Sequence, residues 1–251
     1  MFIKLFNFFL RKFNFRLVKQ NLSTQHKNLN EFYLNGSDRE WQQILMYCHI
    51  MEEIKEVPGD IAEFGVAGGT SFLSFVRINK IYDTYRDHNI GKRMLFGFDT
   101  FKGLPYFDKE KDTGISTYKD KDMRLGGFNA INDYHLFLKN ISSEKNVKIY
   151  KGAFEETLPK FNIENKHASF SLIHIDCDLH KSTVSALNGT ILKLNIGGVI
   201  LFDEIFHKDF PGETSGFWEV YNNIIDKKIS YVLEFKRIKS MPWKWYAKRI
   251  K

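Results

Sequence analysis

Two acidic groups follow apolar runs in the second half of the sequence, and their spacing suits metal-assisted chemistry. In "IHIDCDLHKST" (173–183) one residue separates Asp176 from Asp178, and in "GGVILFDEI" (197–205) Asp203 precedes Glu204. If the apolar runs are neighbouring parallel strands, these carboxylates meet at one edge of the sheet and repel unless a cation or a proton relieves them. Oxygen ligands without cysteine favour Mg²⁺ or Mn²⁺ over zinc.

The two acids of the first group have different predicted roles. We expect Asp176 to be both a metal ligand and the general base that takes the proton of a hydroxyl group, because a bound cation acidifies and orients such a group. Asp178 is expected to cap the helix that begins near Ser182. Capping cannot also explain the second acidic group, so it is not the role expected for Asp176.

Two histidines lie near these acids. His207, three residues after Glu204, is read either as a general base or as a solvated loop residue. His174 lies within the apolar run before Asp176 and is expected to be a satisfied interior residue.

A glycine-rich turn and an acidic strand end together indicate a nucleotide. Glycines in "EFGVAGGTS" (63–71) let the chain turn from strand to helix and let a ligand approach the backbone, with Thr70 and Ser71 opening the helix. The next apolar run ends in Asp99, which is placed to accept both hydroxyls of a ribose, a role in forming the turn being the alternative. The pair predicts an adenosine-type nucleotide.

Alternating strands and helices must position these residues. "SDRE" (37–40) is a capping box that starts a helix, and Pro58 and Gly59 end it. Strands separated by helical patterns imply an α/β fold whose mostly parallel sheet has helices on both faces. A short proline-containing turn between the last two strands predicts a C-terminal antiparallel hairpin. The predicted strands are 60–66, 93–99, 147–152, 169–176, 197–203, 231–238 and 244–250, and the later helices are 70–84, 128–139, 182–194 and 216–227.

The composition fits one α/β domain with an additional N-terminal segment. Of the 251 residues 43% are hydrophobic, enough to bury a full core, and the predicted boundary separates a basic aromatic segment, 1–36, from a domain, 37–251. Much of the formal net charge of +7 lies in the two tails, so a nucleic-acid surface is not expected. Two cysteines, Cys48 and Cys177, indicate no disulfide framework and a reducing cytoplasm.

The N-terminal segment "MFIKLFNFFLRKFNFRLVK" (1–19) mixes phenylalanines with basic residues. It is too short and too often interrupted by charge to span a bilayer, and it has no small-residue cleavage site. Two interpretations stay open: an amphipathic helix that rests on anionic lipid, and a helix that packs on the domain or on a second subunit. We expect a cytoplasmic protein, with peripheral contact at the inner membrane face and a homo-oligomer as open alternatives.

Five blocks in the same order resemble the macrocin O-methyltransferase family. They are "PGDIAEFGVAGGTS", "FGFDTFKGLP", "GAFEETLP", "LIHIDCDLHKSTVSAL" and "GGVILFDE", within roughly 37–206. The resemblance implies a class I Rossmann-like fold for the domain 37–251. It also implies metal-dependent transfer of a methyl group from S-adenosylmethionine (SAM) to a sugar hydroxyl.

The resemblance also implies roles for single residues. It places Asp99 on the ribose of SAM, and two positions depart from the family pattern. Glu204 stands where a shorter aspartate is usual, and His180 stands where tyrosine is usual and is expected to alter substrate contacts. The resemblance implies Glu63, Gly65, Gly68 and Asp99 as SAM-binding residues, to which the glycine turn adds Thr70 and Ser71. The implied metal ligands are Asp176, Asp203 and Glu204.

The sequence therefore predicts a SAM- and Mg²⁺-dependent O-methyltransferase that acts on a sugar nucleotide, a surface glycan or a natural-product glycoside. Two alternatives stay open: a non-catalytic SAM- or glycan-binding partner in a glycan-assembly complex, and an NAD-type oxidoreductase. The charged segment 105–127 is read as a lid over the acceptor or as a solvated insert. The loop 206–218 is a candidate acceptor wall, in which Trp218 could stack on a sugar.

Overall fold

The computed structural model describes residues 35–85, 92–114 and 123–251. The segment 1–19 lies outside the described residues, so its predicted membrane or subunit contact and the domain boundary at residue 36 stay predictions. Residues Gln42–Lys251 form one compact unit that contains the sheet. Within the described ranges, no helix is both long and apolar enough to cross a membrane.

The elements alternate between helix and strand as the apolar patterns predict, and they end in two consecutive strands. In chain order they are α1 Asp38–Glu53, β1 Asp60–Phe64, α2 Thr70–Tyr85, β2 Leu95–Asp99, α3 Ile131–Ile141, β3 Val147–Lys151, α4 Phe154–Glu164, β4 Phe170–Ile175, α5 His180–Thr190, β5 Leu194–Phe202, α6 Gly212–Asp226, β6 Leu233–Ile238 and β7 Met241–Arg249.

The strands form one seven-stranded sheet in the order β3-β2-β1-β4-β5-β7-β6. Strands β1 to β5 are parallel, whereas β7 is antiparallel to both of its neighbours, β5 and β6. The predicted mostly parallel sheet with a C-terminal hairpin is therefore confirmed. The order reverses between β1 and β4, and ligands of open α/β sheets bind at such a switch point, beyond the carboxyl ends of the strands.

Two apolar cores cover the two faces of the sheet. Successive strand residues point to opposite faces, so Ile61 packs in a cluster with α1, α2 and α3, and Ala62 packs in a cluster with α4, α5 and α6. Both residues are fully buried. The helices thus lie on both faces, as the alternation of elements predicts.

The capping box at the start of α1 forms as predicted. The backbone N–H of Ser37 donates to the carboxylate of Glu40 at 2.7 Å, and the N–H of Glu40 donates to Ser37 Oγ at 3.3 Å. Two N–H groups at the helix start are satisfied in this way.

The sequence patterns do not predict α4. Pro159 lies inside this helix and the N-cap residue Ala153 offers no side-chain acceptor, so the usual signals of a helix are missing. The helix forms because Phe154, Leu158 and Phe161 enter the core on one face of the sheet.

The predicted turn of the hairpin is displaced. Pro242 lies within β7 rather than in the turn, because β7 begins at Met241. Ile238 pairs with Met241 and Arg237 with Trp245, so the pairing is irregular between them. A proline can occupy such a bulge because the ladder hydrogen bond that it cannot donate is not required there.

Candidate active site

The carboxyl edge of the sheet brings the predicted site residues together. The N–H of Gly65 donates to the carbonyl of Phe98 at 3.0 Å, the N–H of Asp176 to Phe64 at 2.9 Å, and the N–H of Asp203 to Ile175 at 2.9 Å. These bonds extend the parallel ladders by one residue beyond β1, β4 and β5. The glycine turn and the acids therefore lie side by side at the switch point.

Two glycines of the turn are required by close packing, and one faces open space. Gly65 has φ +98°, and a Cβ there would lie 1.6 Å from the carbonyl oxygen of Asp176. Gly69 has φ +87°, and its Cβ would lie 2.2 Å from the ring of Phe137. Around Gly68, by contrast, a Cβ would meet nothing within 4 Å. Gly68 is therefore the position where a ligand has room to approach the backbone.

Glu63 and Ser71 contact each other inside the protein. Ser71 Oγ donates to Glu63 Oε1 at 2.7 Å, and Glu63 Oε2 lies 3.3 Å from His174 Nδ1, with Glu63 fully buried and His174 nearly so. Neither Glu63 Oε2 nor His174 Nδ1 has a hydrogen-bond partner in the described part of the chain. His174 is interior, as predicted, and its ring also packs edge-on against Phe75, with 5.5 Å between the ring centroids.

Asp99 has the turn-forming role that the sequence indicates as the alternative to ribose binding. Its Oδ2 accepts from the N–H of Ala67 at 2.7 Å, and its Oδ1 accepts from the N–H of Phe101 at 2.6 Å. The carboxylate thus ties the glycine turn after β1 to the end of β2. Each oxygen has a second lone pair, so a ribose hydroxyl can still be accepted.

The three predicted metal ligands form an acidic rim, defined here as Asp176, Asp203 and Glu204. Burial and the charge of Asp203 raise the pKa of Asp176 well above its ordinary value. Burial raises the pKa of Glu204 to about 8, and the neighbouring Asp203 adds to this effect. The predicted repulsion among these acids is therefore present.

The side chain of Lys244 points into the acidic rim from β7. Its Nζ donates to the backbone carbonyl of Asp203 at 2.7 Å, also donates to Asp203 Oδ1, and lies 3.7 Å from Glu204 Oε1. Lys244 is only 6% exposed. Burial would raise the pKa of Asp203, but the ammonium of Lys244 holds it below its ordinary value.

Glu213, in the first turn of α6, is a second buried group that the sequence patterns do not single out. Its Oε2 accepts from the N–H of Glu204 at 2.8 Å, and the residue is fully buried. Burial, followed by the charge of Asp203, raises the pKa of Glu213 well above its ordinary value. By accepting this hydrogen bond, Glu213 holds the loop after β5 in place.

The chemistry of the rim fits a hard cation, although the rim is not arranged as a finished metal site. Carboxylate oxygens that converge and repel are the ligands Mg²⁺ prefers. Among the residues that the structure describes, no three histidine, cysteine or acidic side chains form a group that could hold a metal ion. In addition, the ammonium of Lys244 donates to one carboxylate oxygen of Asp203, which a metal ion would need as a ligand.

The start of α5 differs from the prediction. Its N-cap residue is Leu179, and Asp178 precedes it with φ 57°. The N–H of His180, the first residue of the helix, donates to the carboxylate of Asp112 at 2.7 Å. Asp178 is thus not the N-cap residue, and the group that receives this N–H comes from a segment distant in the chain.

His180 connects α5 to its neighbours. Its Nδ1 lies 2.8 Å from Ser215 Oγ, and its Nε2 lies 3.0 Å from Glu219 Oε2 and 2.9 Å from Lys111 Nζ. These contacts occupy both ring nitrogens with groups of the protein. They give His180 a structural role, and an effect on substrate contacts stays a prediction.

The described parts of the charged segment 105–127 pack against the site. The hydroxyl of Tyr106 lies 2.9 Å from Ser182 Oγ. A Cβ on Gly114 would lie 2.3 Å from the carbonyl oxygen of Lys208, so the segment also passes close to the loop after β5. Residues 115–122 of this segment lie outside the described residues, so the two interpretations, a lid and a solvated insert, stay predictions.

A groove of about 560 Å³ lies beside the acidic rim. Its exposed aromatic side chains include Trp243, 51% exposed, and Phe206, 41% exposed. His207 connects the groove to the rim, because its Nδ1 lies 3.9 Å from Glu204 Oε2. Trp218, the predicted stacking residue, does not line this groove; it packs against Phe217 and Tyr221 and is 40% exposed, so its stacking role stays a prediction. The groove is lined by Phe206, His207, Lys208, Asp209, Arg237, Pro242, Trp243 and Trp245.

Comparison with protein families gives one match over most of the chain. The model of the macrocin-O-methyltransferase (TylF) family matches residues 38–225. The match begins at the capping box and ends near the end of α6, and it includes the glycine turn, Asp99 and the acidic rim.

Two proteins from Streptomyces are similar over part of their length. The chain is 28% identical over 167 residues to the 8-demethyl-8-(2,3-dimethoxy-alpha-L-rhamnosyl)-tetracenomycin-C 4'-O-methyltransferase of Streptomyces olivaceus, covering 64% of this chain and 58% of that protein. It is 27% identical over 156 residues to the demethyldecarbamoylnovobiocin O-methyltransferase of Streptomyces niveus, covering 59% and 53%. The chain thus spans little more than half the length of these relatives.

Solved structures share the fold. The crystal structure of the calicheamicin methyltransferase CalS11 superposes with a TM-score of 0.74 at 21% identity, over 91% of this chain and 87% of that one. The O-methyltransferase NovP gives a TM-score of 0.56 at 19% identity, over 84% and 80%. The class I methyltransferase fold expected from the sequence is therefore confirmed.

Proposed function

Because the chain belongs to the macrocin O-methyltransferase family, we propose that it transfers the methyl group of SAM to a hydroxyl of a sugar. The relatives from Streptomyces are named as O-methyltransferases, and the name of one specifies a rhamnosyl tetracenomycin. A sugar-bearing natural product is the acceptor class that this similarity supports. A sugar nucleotide and a surface glycan are the other candidate acceptors, and an assay of methyl transfer must include both.

The position of Asp176 is the observation that carries this proposal. Its backbone packs against Gly65 in the glycine turn, and its neighbour on the other side along the sheet edge is Asp203. A cofactor on the glycine turn and an acceptor at the acidic rim would therefore meet at Asp176. This is the arrangement that methyl transfer needs, because oxygen, carbon and sulfur must be aligned.

The residues of the chain have the following proposed roles. Gly68 and the start of α2, at Thr70, give the methionine part of SAM access to backbone N–H groups, and Asp99 accepts the ribose hydroxyls. The carboxylate of Asp176 takes the hydroxyl proton as the oxygen–carbon bond forms and the sulfur–carbon bond breaks, which releases S-adenosylhomocysteine. Glu63, Gly65 and Ser71 shape the turn from inside.

A divalent cation, Mg²⁺ or Mn²⁺, is proposed to bind the carboxylate oxygens of Asp176, Asp203 and Glu204. When bound, it would lower the pKa of a nearby sugar hydroxyl and orient it. The effect of the Asp203 charge on both Asp176 and Glu204 supports this binding, and the ammonium of Lys244 opposes it.

The groove beside the rim is the proposed acceptor site. Exposed aromatic faces such as those of Trp243 and Phe206 bind the apolar face of a sugar or of an attached ring system. The segment 105–127 is the proposed lid, and its described part contacts α5 through Tyr106 and Asp112. Closing it would exclude water from the transferred methyl group.

The experiment is a comparison of wild-type protein with Asp176→Asn. We expect the variant to bind S-adenosylhomocysteine as the wild type does, by calorimetry, while its methyl transfer to a panel of glycosides, sugar nucleotides and glycans falls at least about a hundredfold. Retained turnover would remove Asp176 as the base. Asp226→Asn, an exposed acid at the end of α6, is the matched control.

Two other functions predict different results. An NAD-type oxidoreductase would be stabilised against heat by NAD and not by S-adenosylhomocysteine. A non-catalytic binding partner would bind S-adenosylhomocysteine but methylate no member of the panel, with or without Mg²⁺.

A further inference from the structure

Lys244 carries a positive charge to the place where the proposed function requires a metal ion. Successive residues of β7 point to opposite faces of the sheet, so the side chain of Lys244 lies away from the groove, and its Nζ reaches Asp203 at the end of β5. Its neighbours in sequence, Trp243 and Trp245, line the groove, whereas Lys244 itself is 6% exposed.

The contacts of Lys244 are those of a counter-ion. Its Nζ donates to the carbonyl of Asp203 at 2.7 Å and to the Oδ1 atom of the same residue, and Glu204 Oε1 lies 3.7 Å away. A lysine this deeply buried is rare unless it is paired. Here a single ammonium pairs with two of the three rim acids, and it therefore neutralises part of the charge that would attract a second cation.

A divalent ion and this ammonium cannot share the same oxygen lone pairs of Asp203. Metal ligation needs oxygen atoms at about 2.1 Å from Mg²⁺, and the ammonium of Lys244 already donates to Oδ1. The four-carbon stem of lysine is flexible, so the ammonium can leave when a competing cation arrives.

From these contacts we propose that Lys244 is the resident cation of the acidic rim, and that divalent ions bind there only by displacing its ammonium from Asp203. Lys244 thereby sets the affinity of the protein for divalent cations. The proposal rests on the proposed function only in using the same rim, because it concerns metal affinity and not methyl transfer.

The test measures Mn²⁺ binding by electron paramagnetic resonance, with no SAM and no acceptor present. We expect Lys244→Met to bind Mn²⁺ at least about tenfold more tightly than the wild type, because an adjacent positive charge is removed. Lys248→Met is the matched control: it removes the same charge from the same strand, but Lys248 pairs with Glu53 at 2.9 Å. Its Mn²⁺ affinity should equal that of the wild type.

Mn²⁺ binding by Lys244→Met that is no tighter than that of the wild type would overturn the proposal. The gain should also disappear in the double variant Lys244→Met with Asp203→Asn, and its persistence would place the ion elsewhere and refute the proposal. If Lys244→Met does not fold, Lys244→Gln removes the charge and keeps a donor for the Asp203 carbonyl. A wild type that methylates no acceptor but shows the expected order of Mn²⁺ affinities would contradict the proposed function and support the role of Lys244.

Discussion

Gly65 packs directly on the backbone of Asp176, so that a Cβ on Gly65 would lie 1.6 Å from the carbonyl oxygen of Asp176. This contact connects the turn after β1 with the acid after β4. We expect Gly65→Ala to lower the free energy of unfolding by about 3 kcal/mol or more, because the clash is with backbone and φ is +98°. Urea unfolding measures this loss.

Gly68→Ala is the matched variant in the same turn. Nothing lies within 4 Å of a Cβ at Gly68, so we expect stability to change by less than about 1 kcal/mol. The new methyl group enters the space proposed for SAM, and affinity for S-adenosylhomocysteine should fall. Equal unfolding free energies for the Gly65 and Gly68 variants would show that the contact with Asp176 does not constrain the turn.

Asp99→Asn separates turn formation from ribose binding. An asparagine amide cannot accept from both Ala67 and Phe101, so we expect a loss of about 1–3 kcal/mol in unfolding free energy. If Asp99 also accepts the ribose, calorimetry below the melting range will show affinity for S-adenosylhomocysteine at least about tenfold weaker. Unchanged affinity of the folded variant for S-adenosylhomocysteine would show that Asp99 forms the turn but does not bind the ribose.

Glu213 should make stability fall as pH rises. Because burial raises its folded-state pKa above the unfolded value of 4.5, the folded chain holds a proton that the unfolded chain releases. Its contribution is therefore fully present below pH 4.5 and is lost as pH rises towards the folded pKa, at about 1.4 kcal/mol per pH unit. Glu213→Gln, unfolded in urea from pH 5 to pH 8, should show a shallower loss than the wild type, and parallel curves would contradict this.

Asp112→Ala tests whether the segment 105–127 acts as a lid held by α5. Removing the acceptor of the His180 N–H should lower the unfolding free energy by about 1 kcal/mol. We expect KM for the acceptor to rise while affinity for S-adenosylhomocysteine stays constant. The neighbouring exposed variant Glu110→Ala should change neither quantity, and an equal rise in KM there would argue against the contact with His180.

Trp243→Ala and Trp218→Ala distinguish the observed groove from the wall that the sequence predicts. Trp243 lines the groove, whereas Trp218 packs on Phe217 and Tyr221. Loss of a stacking face at Trp243 should raise KM for the acceptor severalfold, up to about tenfold. A larger rise in KM for Trp218→Ala than for Trp243→Ala would indicate that the acceptor binds beside α6 and not in the groove.

The sequence alone identifies the site residues at the strand ends, because the signals that mark each of them lie within a few residues along the chain. An apolar run followed by glycine or acid marks the carboxyl end of a buried strand, so Gly65, Asp99, Asp176 and Asp203 are recognisable before their neighbours are known. In the same way, Ser37 and the residues after it contain a complete capping box, whose two bonds join residues three apart. The order of these signals predicts the parallel sheet and its hairpin.

The partners of those residues were decided only by the tertiary structure. Lys244 reaches Asp203 across 41 residues of sequence, and Asp112 receives the N–H of His180 across 68. Helix α4 forms against local signals because its apolar face is buried in the core. Such pairs depend on which strands and loops become neighbours in space, and that property has no periodic pattern in the sequence. The sequence thus identifies the acids at the edge of the sheet, and the fold determines that a lysine shares that edge with them.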